Sequence, residues 1–347
     1  MRRLSGLVIA LMVAVAGGTA FGQTAPVDPA RVPPDTLSPA WQRMWPIVTG
    51  FKAAEAPQPA LNDLVAWKQQ QDAVDEQMQK MASGVTAAYG VTVEASLIGG
   101  VPTLTITPKD WVDDGRLLIY VHGGGFTSLS ARSTLFSSGL MANRSRMRVI
   151  SVDYTLAPQQ RWQGTTDQVA AVYRALLSQG RSPQGIGIFG DSAGGSIVAG
   201  TVLKLRDAGT PLPGAVLLWS PWSDVTATGD TYRTLASFDP ALSMVRLALS
   251  AAAYADPADQ KNPYVSPVYG DYARGFPPTL IQGGTREIFL SNMVRHYQAL
   301  VTGGVDATLD LYEGMIHVFQ PMAPGAPENV AAMKRVVDFW NRHLRSR

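Results

Sequence analysis

The chain has 347 residues, with 29 Lys and Arg against 27 Asp and Glu, four His and no Cys. An apolar share of 46% beside only 16% charged residues excludes a disordered chain, and the length buries a sizeable core in one large domain or two small ones. Without Cys there is no disulfide framework, thiolate nucleophile or cysteine-ligated metal, and a net charge of +2 (near neutral once Arg2 and Arg3 are set aside) gives no footprint for nucleic acid.

Residues 1–22 begin with Arg2 and Arg3, continue as an apolar run from Leu4 to Ala16, and end in small residues with Ala20 and Gly22 at −3 and −1 of a cleavage site before Gln23. This layout predicts a secretory signal peptide, too short for a comfortable membrane span, and hence an exported protein, periplasmic or secreted. Gln23 to Pro39 carries Pro26, Pro29, Pro33, Pro34 and Pro39, which suits an extended strap. Leu61 to Met81 spaces Leu64, Val65, Trp67, Val74, Met78 and Met81 as an amphipathic helix. Two strand patterns follow, Val91–Ser96 and Pro102–Thr107, joined by Ile98-Gly99-Gly100 as in a hairpin. From there strand-like runs at Leu117–Val121, Arg148–Asp153, Ile186–Phe189, Ala215–Trp219, Thr279–Gln282 and Ala307–Tyr312 alternate with helical stretches at Ser133–Arg144, Thr166–Ser178, Ala193–Ala208, Ser291–Thr302 and Pro327–His343. Short apolar strands separated by helices predict an α/β fold with a mostly parallel sheet covered on both faces. Asp224 to Tyr272 interrupts the alternation, with a helix near Ser243–Tyr254, and an insertion of that length is the place for a lid or substrate-binding element.

Gly190-Asp191-Ser192-Ala193-Gly194 lies between a strand and a helix. A sharp turn there strains the serine, the glycines remove clashing side chains, and the helix N-terminus aims N–H groups at developing negative charge. His122-Gly123-Gly124-Gly125-Phe126 ends another strand, and its bare N–H groups, with that of Ala193, suit a three-donor oxyanion hole. A phosphate loop would need a Gly-Lys-Ser/Thr or a G-x-G-x-x-G that the chain lacks here. A serine nucleophile needs a base. Of the four histidines, His122 braces the glycine loop, His296 beside Arg295 is expected on the surface, and His343 belongs to the basic tail. His317 remains as the general base. The acid is expected between Ser192 and His317 after a strand: Glu287 fits, with Asp306 and Asp310 as alternatives and a surface ion pair to Arg286 as the competing role for Glu287. The order Ser192, Glu287, His317 and the alternating elements exclude a chymotrypsin-like protease.

HGGGF at 122–126, VDYTLAP at 152–158, GDSAGG at 190–195, SPWSD at 220–224, NPYVSP at 262–267, PPTLI at 277–281 and GMIHVF at 314–319 together resemble the hormone-sensitive lipase family, or bacterial family IV esterases, of the α/β-hydrolases. The resemblance covers about Leu117 to Phe319. It implies an eight-stranded, mostly parallel α/β-hydrolase sheet flanked by helices, with a helical cap built from residues 23–85 and an insertion at about 224–262 of a catalytic domain spanning 86–347. It implies hydrolysis of short- to medium-chain carboxylic esters by Ser192, His317 and Glu287, with Gly124, Gly125 and Ala193 as oxyanion donors and no metal or organic cofactor. Phe126, Trp222, Val318 and Phe319 flank the motifs as candidate substrate-pocket walls or plain core. The chain departs from the family pattern at Thr155 and Gln159, where Arg and Glu are usual, and in having Glu287 where Asp is more common. The expected partner is a small ester, with no nucleic acid and no stable membrane span after cleavage; a homodimer is left open. The rival readings are a carbohydrate or xenobiotic acetyl-esterase, an amidase or peptidase, and a ligand-binding pseudoenzyme.

Overall fold

A computed structural model describes residues 28–50 and 58–346; the expected leader, residues 1–22, lies outside them. Eight strands form one sheet: β1 (Val91–Ile98), β2 (Val101–Pro108), β3 (Leu117–Val121), β4 (Arg148–Val152), β5 (Ile186–Asp191), β6 (Ala215–Trp219), β7 (Thr279–Gly284) and β8 (Ala307–Tyr312). Their order is β1-β2-β4-β3-β5-β6-β7-β8. β2 runs antiparallel to both β1 and β4, and every other pairing is parallel. Strands β3, β5, β6 and β7 are buried along their whole length. That is why β3 and β6 read as unbroken apolar runs, whereas β1, with one buried residue at its start, mixes in polar residues.

The helices are α1 (Pro39–Gly50), α2 (Leu64–Met81), α3 (Val85–Tyr89), α4 (Leu135–Ser145), α5 (Trp162–Ser178), α6 (Ala193–Asp207), α7 (Thr231–Thr234), α8 (Met244–Tyr254), α9 (Leu290–Thr302) and α10 (Pro327–His343). The period-two alternation of the strands divides the core. Leu117, Ile119 and Val121 of β3 face a cluster with Val169 and Tyr173 of α5, Ile197 and Val202 of α6, and Met293 and Leu300 of α9. Leu118 and Tyr120 face the opposite cluster with Leu140 and Met141 of α4 and Val336 and Trp340 of α10.

A third cluster lies under α1, a helix the sequence reading did not anticipate. Trp41, Trp45 and Val48 are buried at a helical interval, although Pro46 sits inside the helix. The strap is fastened by Glu328, which accepts from the Ser38 N–H (2.7 Å) and hydroxyl (2.9 Å). Asn329 Oδ1 accepts from Trp41 Nε1 at 2.6 Å. α2 starts three residues later than its apolar spacing indicates, because Asp63 caps it by accepting from the Ala66 N–H (3.0 Å). Between β6 and β7 the insertion carries α7 and α8. It departs at Asp224, whose buried carboxylate pairs with Arg295 at 2.6 Å and accepts from the Tyr269 hydroxyl at 2.9 Å. Among the described residues no helix is long and apolar enough to cross a membrane.

Candidate active site

The register of the parallel strands aligns their C-terminal ends: Val121 pairs with Gly190, Asp191 with Trp219, Trp219 with Gln282, and Gln282 with Asp310. Loops leaving these ends gather chemistry from distant segments, as open parallel sheets do. Ser192 is the hinge between β5 and α6, with φ 54° and ψ −123°. The turn is tight enough to require both flanking glycines. A Cβ on Gly190 would lie 2.5 Å from Gly194 C, and one on Gly194 would lie 2.1 Å from Val121 O. The Ser192 N–H donates to Trp219 O (2.9 Å), and its carbonyl accepts from the Trp222 N–H (2.9 Å).

Gly123 passes directly over the serine, since a Cβ there would lie 3.1 Å from Ser192 Cβ. The loop is pinned from below by Asp191, whose Oδ1 accepts from the Tyr120 hydroxyl (2.5 Å) and the Gly123 N–H (3.3 Å). His122 braces it from the side: its ring stacks on Tyr154 at 4.2 Å and its Nδ1 donates to Gly123 O at 2.8 Å, while the Tyr154 hydroxyl donates to His122 O at 2.9 Å. Burial pushes the His122 imidazole below its ordinary value and the Asp191 carboxyl above its own. Among the described residues, the N–H groups of Gly124, Gly125 and Ala193 have no protein acceptor. Three donors held free above one serine can bind an anion.

His317, in the loop after β8, bonds through Nδ1 to Glu287 Oε2 at 2.7 Å. Glu287 is completely buried. Its other oxygen accepts from the Gly284 N–H (2.7 Å) and the Ser220 hydroxyl (2.9 Å). Burial pushes His317 down, but the hydrogen bond and charge of Glu287, with the charges of Asp239 and Asp191, outweigh it, and the net shift is upward. The other carboxylates weighed from sequence go elsewhere. Asp310 accepts from Gln282 and pairs with Arg335 (3.0 Å), and the exposed Asp306 faces His343 at 3.9 Å. Arg286 does not pair with Glu287: it donates to Phe238 O and Pro29 O. Ser192 and His317 are each 8% exposed, so both are nearly buried but still reach solvent.

One expectation is corrected. His296 is wholly buried, not superficial, because it shares a face of α9 with Asn292, Met293 and Leu300. Its ring bridges Ser223 Oγ (2.7 Å) and the Tyr272 hydroxyl (2.6 Å), and burial drops its pKa to about 3.

Phe126 and Trp222 are brought together, stacked at 5.1 Å. They belong to a ladder that runs from Tyr254 on Phe126 (3.8 Å) through Trp222 on Phe289 (5.5 Å) to the edge of His317 (5.2 Å). Val318, at φ 50°, donates its N–H to Ser220 Oγ (3.0 Å). Phe319 instead packs under α1 against Trp41 and Tyr312. Tyr254, Phe289 and Ser220 were missed in the sequence, although Ser220 lies within the SPWSD stretch. Gln159 accepts from Gln71 Nε2 (3.0 Å), which also donates to Ala157 O (2.9 Å), so it ties α2 to the 153–159 loop.

Residues 118–321 match the family model for the alpha/beta hydrolase fold. The chain is 32% identical over 240 residues to an acetyl-hydrolase of Streptomyces hygroscopicus, covering 68% of this chain and 80% of that protein. Among solved structures it is similar to esterase E25, with a TM-score of 0.80 and 32% identity over 91% of this chain and 97% of the other. It is also similar to an esterase from the bacterial hormone-sensitive lipase family, with a TM-score of 0.75 and 31% identity over 89% and 99%. The strained serine between strand and helix, the glycine loop above it and these likenesses converge: the chain belongs to the α/β-hydrolase fold family, in its hormone-sensitive lipase branch.

Proposed function

We propose that the protein is a serine carboxylesterase acting on short- to medium-chain esters, with Ser192 as nucleophile, His317 as base and Glu287 as acid. The observation that carries this reading is the 2.7 Å bond from His317 to a fully buried Glu287. Donation from Nδ1 leaves the Nε2 lone pair free to take the Ser192 proton. Ser192 Oγ then bonds to the ester carbonyl carbon, and the carbonyl electron pair moves onto oxygen. Gly124, Gly125 and Ala193 hold that oxyanion, each donor contributing on the order of 3 kcal/mol. Collapse breaks the bond to the alcohol oxygen, which takes the proton from Nε2. Water repeats the sequence on the acyl-enzyme and releases the acid. Phe126 and Trp222 would wall the acyl side, and α1, α2 and the insertion with α7 and α8 would form the cap. The leader at residues 1–22 supports export.

A carbohydrate or xenobiotic acetyl-esterase is the second reading, favoured by the acetyl-hydrolase relative. Hydrolysis of p-nitrophenyl acetate, butyrate, octanoate and palmitate, beside Ser192→Ala, tests both. Turnover of the shorter esters that vanishes in the variant is expected, and turnover of acetate alone favours the second reading. A folded protein without serine-dependent turnover on any ester would sink both.

A further inference from the structure

Asp239 lies in the insertion between α7 and α8, 49 residues before the segment it touches, and is wholly buried. Its Oδ1 accepts from the N–H groups of Ala241 (2.8 Å) and Leu242 (3.0 Å) in its own turn. Its Oδ2 accepts from the Ile288 N–H at 2.8 Å. Ile288 directly follows Glu287. The same peptide segment is gripped again through the Ile288 carbonyl, which accepts from Thr231 Oγ1 at 2.7 Å. On the other side of Glu287, the Arg286 guanidinium donates to Phe238 O (3.2 Å), the residue before Asp239. The insertion therefore holds the backbone directly after Glu287 and the side chain of the residue before it.

A local turn alone would be served by one oxygen of Ser or Asn. Burying a full carboxylate costs several kcal/mol of desolvation, and its second oxygen reaches beyond the turn to the Ile288 N–H. Burial pushes the Asp239 carboxyl above its ordinary value, while three backbone N–H donors and the nearby His317 charge favour its ionised form in opposition. Three carboxylates thus act on His317: Glu287 by a direct bond, and Asp239 and Asp191 by charge at longer range.

We propose that Asp239 is a positioning residue for the Glu287–His317 pair, fixing the backbone that directly follows the acid and adding a further negative charge that favours the imidazolium formed in the transition state. This rests on the reading of Ser192, His317 and Glu287 as the catalytic set.

The test measures kcat, KM and the pH profile on p-nitrophenyl acetate for the full chain, Asp239→Asn, Asp239→Ser and Thr231→Val, with Ser192→Ala as the reference. For the Asp239 variants kcat is expected to fall on the order of tenfold or more with KM little changed, as misplaced catalytic groups do. The acidic limb of kcat/KM moves to lower pH, because a charge that favours protonated His317 is gone. Thr231→Val, which removes a neutral hydrogen bond from the same peptide segment, lowers the melting temperature and leaves the limb where it was. A folded Asp239 variant with unchanged kcat and limb overturns the proposal, as does failure of both Asp239 variants to fold, which would make the residue a structural clamp. A fall in kcat with an unmoved limb overturns the electrostatic half. If Ser192→Ala keeps its activity, the catalytic reading itself fails, whatever the Asp239 variants do.

Discussion

Ser220→Ala removes a hydroxyl that joins the acid loop to the histidine loop. Ser220 Oγ donates to Glu287 Oε1 at 2.9 Å and accepts from the Val318 N–H at 3.0 Å, and the residue is completely buried. Alanine also carries a Cβ, so the positive φ of 42° strains both residues alike and cancels from the comparison. A lost hydrogen bond to a charged group costs about 1.5–3 kcal/mol, and a buried N–H left without an acceptor costs about 1–3 kcal/mol. Both losses fall on the same two loops, so they are not fully additive, and the stability loss is expected at about 2–4 kcal/mol. For a domain of this size that lowers the melting temperature by about 3–6 °C. Glu287 keeps its bond from the Gly284 N–H at 2.7 Å and stays in place as a carboxylate. Activity therefore drops on the order of tenfold rather than disappearing. Thermal unfolding by circular dichroism and p-nitrophenyl acetate hydrolysis read the two effects. A variant within about 0.5 kcal/mol of the parent in stability and about twofold in kcat would refute the reasoning.

Three further outcomes are expected. Gly124 has φ +106°, and a Cβ there would sit 2.1 Å from Ser128 O, so Gly124→Ala must displace the oxyanion loop; kcat is expected to fall about 10²–10³-fold with KM little changed, and a near-native kcat contradicts the assignment of the loop. Catalysis needs neutral His317, whose pKa is raised above 6.5 by Glu287, Asp239 and Asp191 against the opposing effect of burial, so the acidic limb of kcat/KM should lie above pH 6.5; a limb below pH 6 contradicts it. His296 is held neutral by burial with its pKa lowered to about 3. A base with a depressed folded pKa contributes stability above its unfolded pKa and loses it as pH falls, here about 1.4 kcal/mol per unit below roughly pH 6.5. Urea unfolding between pH 7 and 4.5 should show a flatter dependence for His296→Gln, and an unchanged slope would overturn this.

The interior of the sheet was legible because burial on both faces leaves an apolar run, as in β3 and β6, whereas the partly exposed edge strand β8 shows alternation instead. β3, β6 and β8 fall on the residues their apolar patterns mark, and α10 on those marked by Pro327 and the basic His343 end. Elements fixed by distant partners were not. α1 hides behind Pro46 and is held by Glu328 and Asn329, nearly three hundred residues away. The aromatic ladder could not be assembled, since Tyr254 in the insertion looks like any apolar helix residue until it is stacked on Phe126. His296 was misjudged because its neighbour Arg295 reads as surface; the guanidinium in fact turns to the buried Asp224. His317 was found by elimination among four candidates, and Glu287 by its place after a strand. The roles of Ser220 and Asp239 have no signature in one dimension, because each depends on backbone N–H groups brought in by the fold.

The central claim is that Ser192 attacks and that His317, oriented by Glu287, activates it. A p-nitrophenyl alkylphosphonate phosphonylates such a serine irreversibly, forming an Oγ–P bond and releasing one nitrophenolate per site, so its reaction with the full chain can be followed by absorbance and by intact-protein and peptide mass spectrometry. The account predicts a single stoichiometric adduct on the peptide carrying Ser192, none in Ser192→Ala, and labelling slowed on the order of 10³-fold or more in His317→Ala. Labelling elsewhere, or labelling of Ser192 at the same rate without His317, would contradict it.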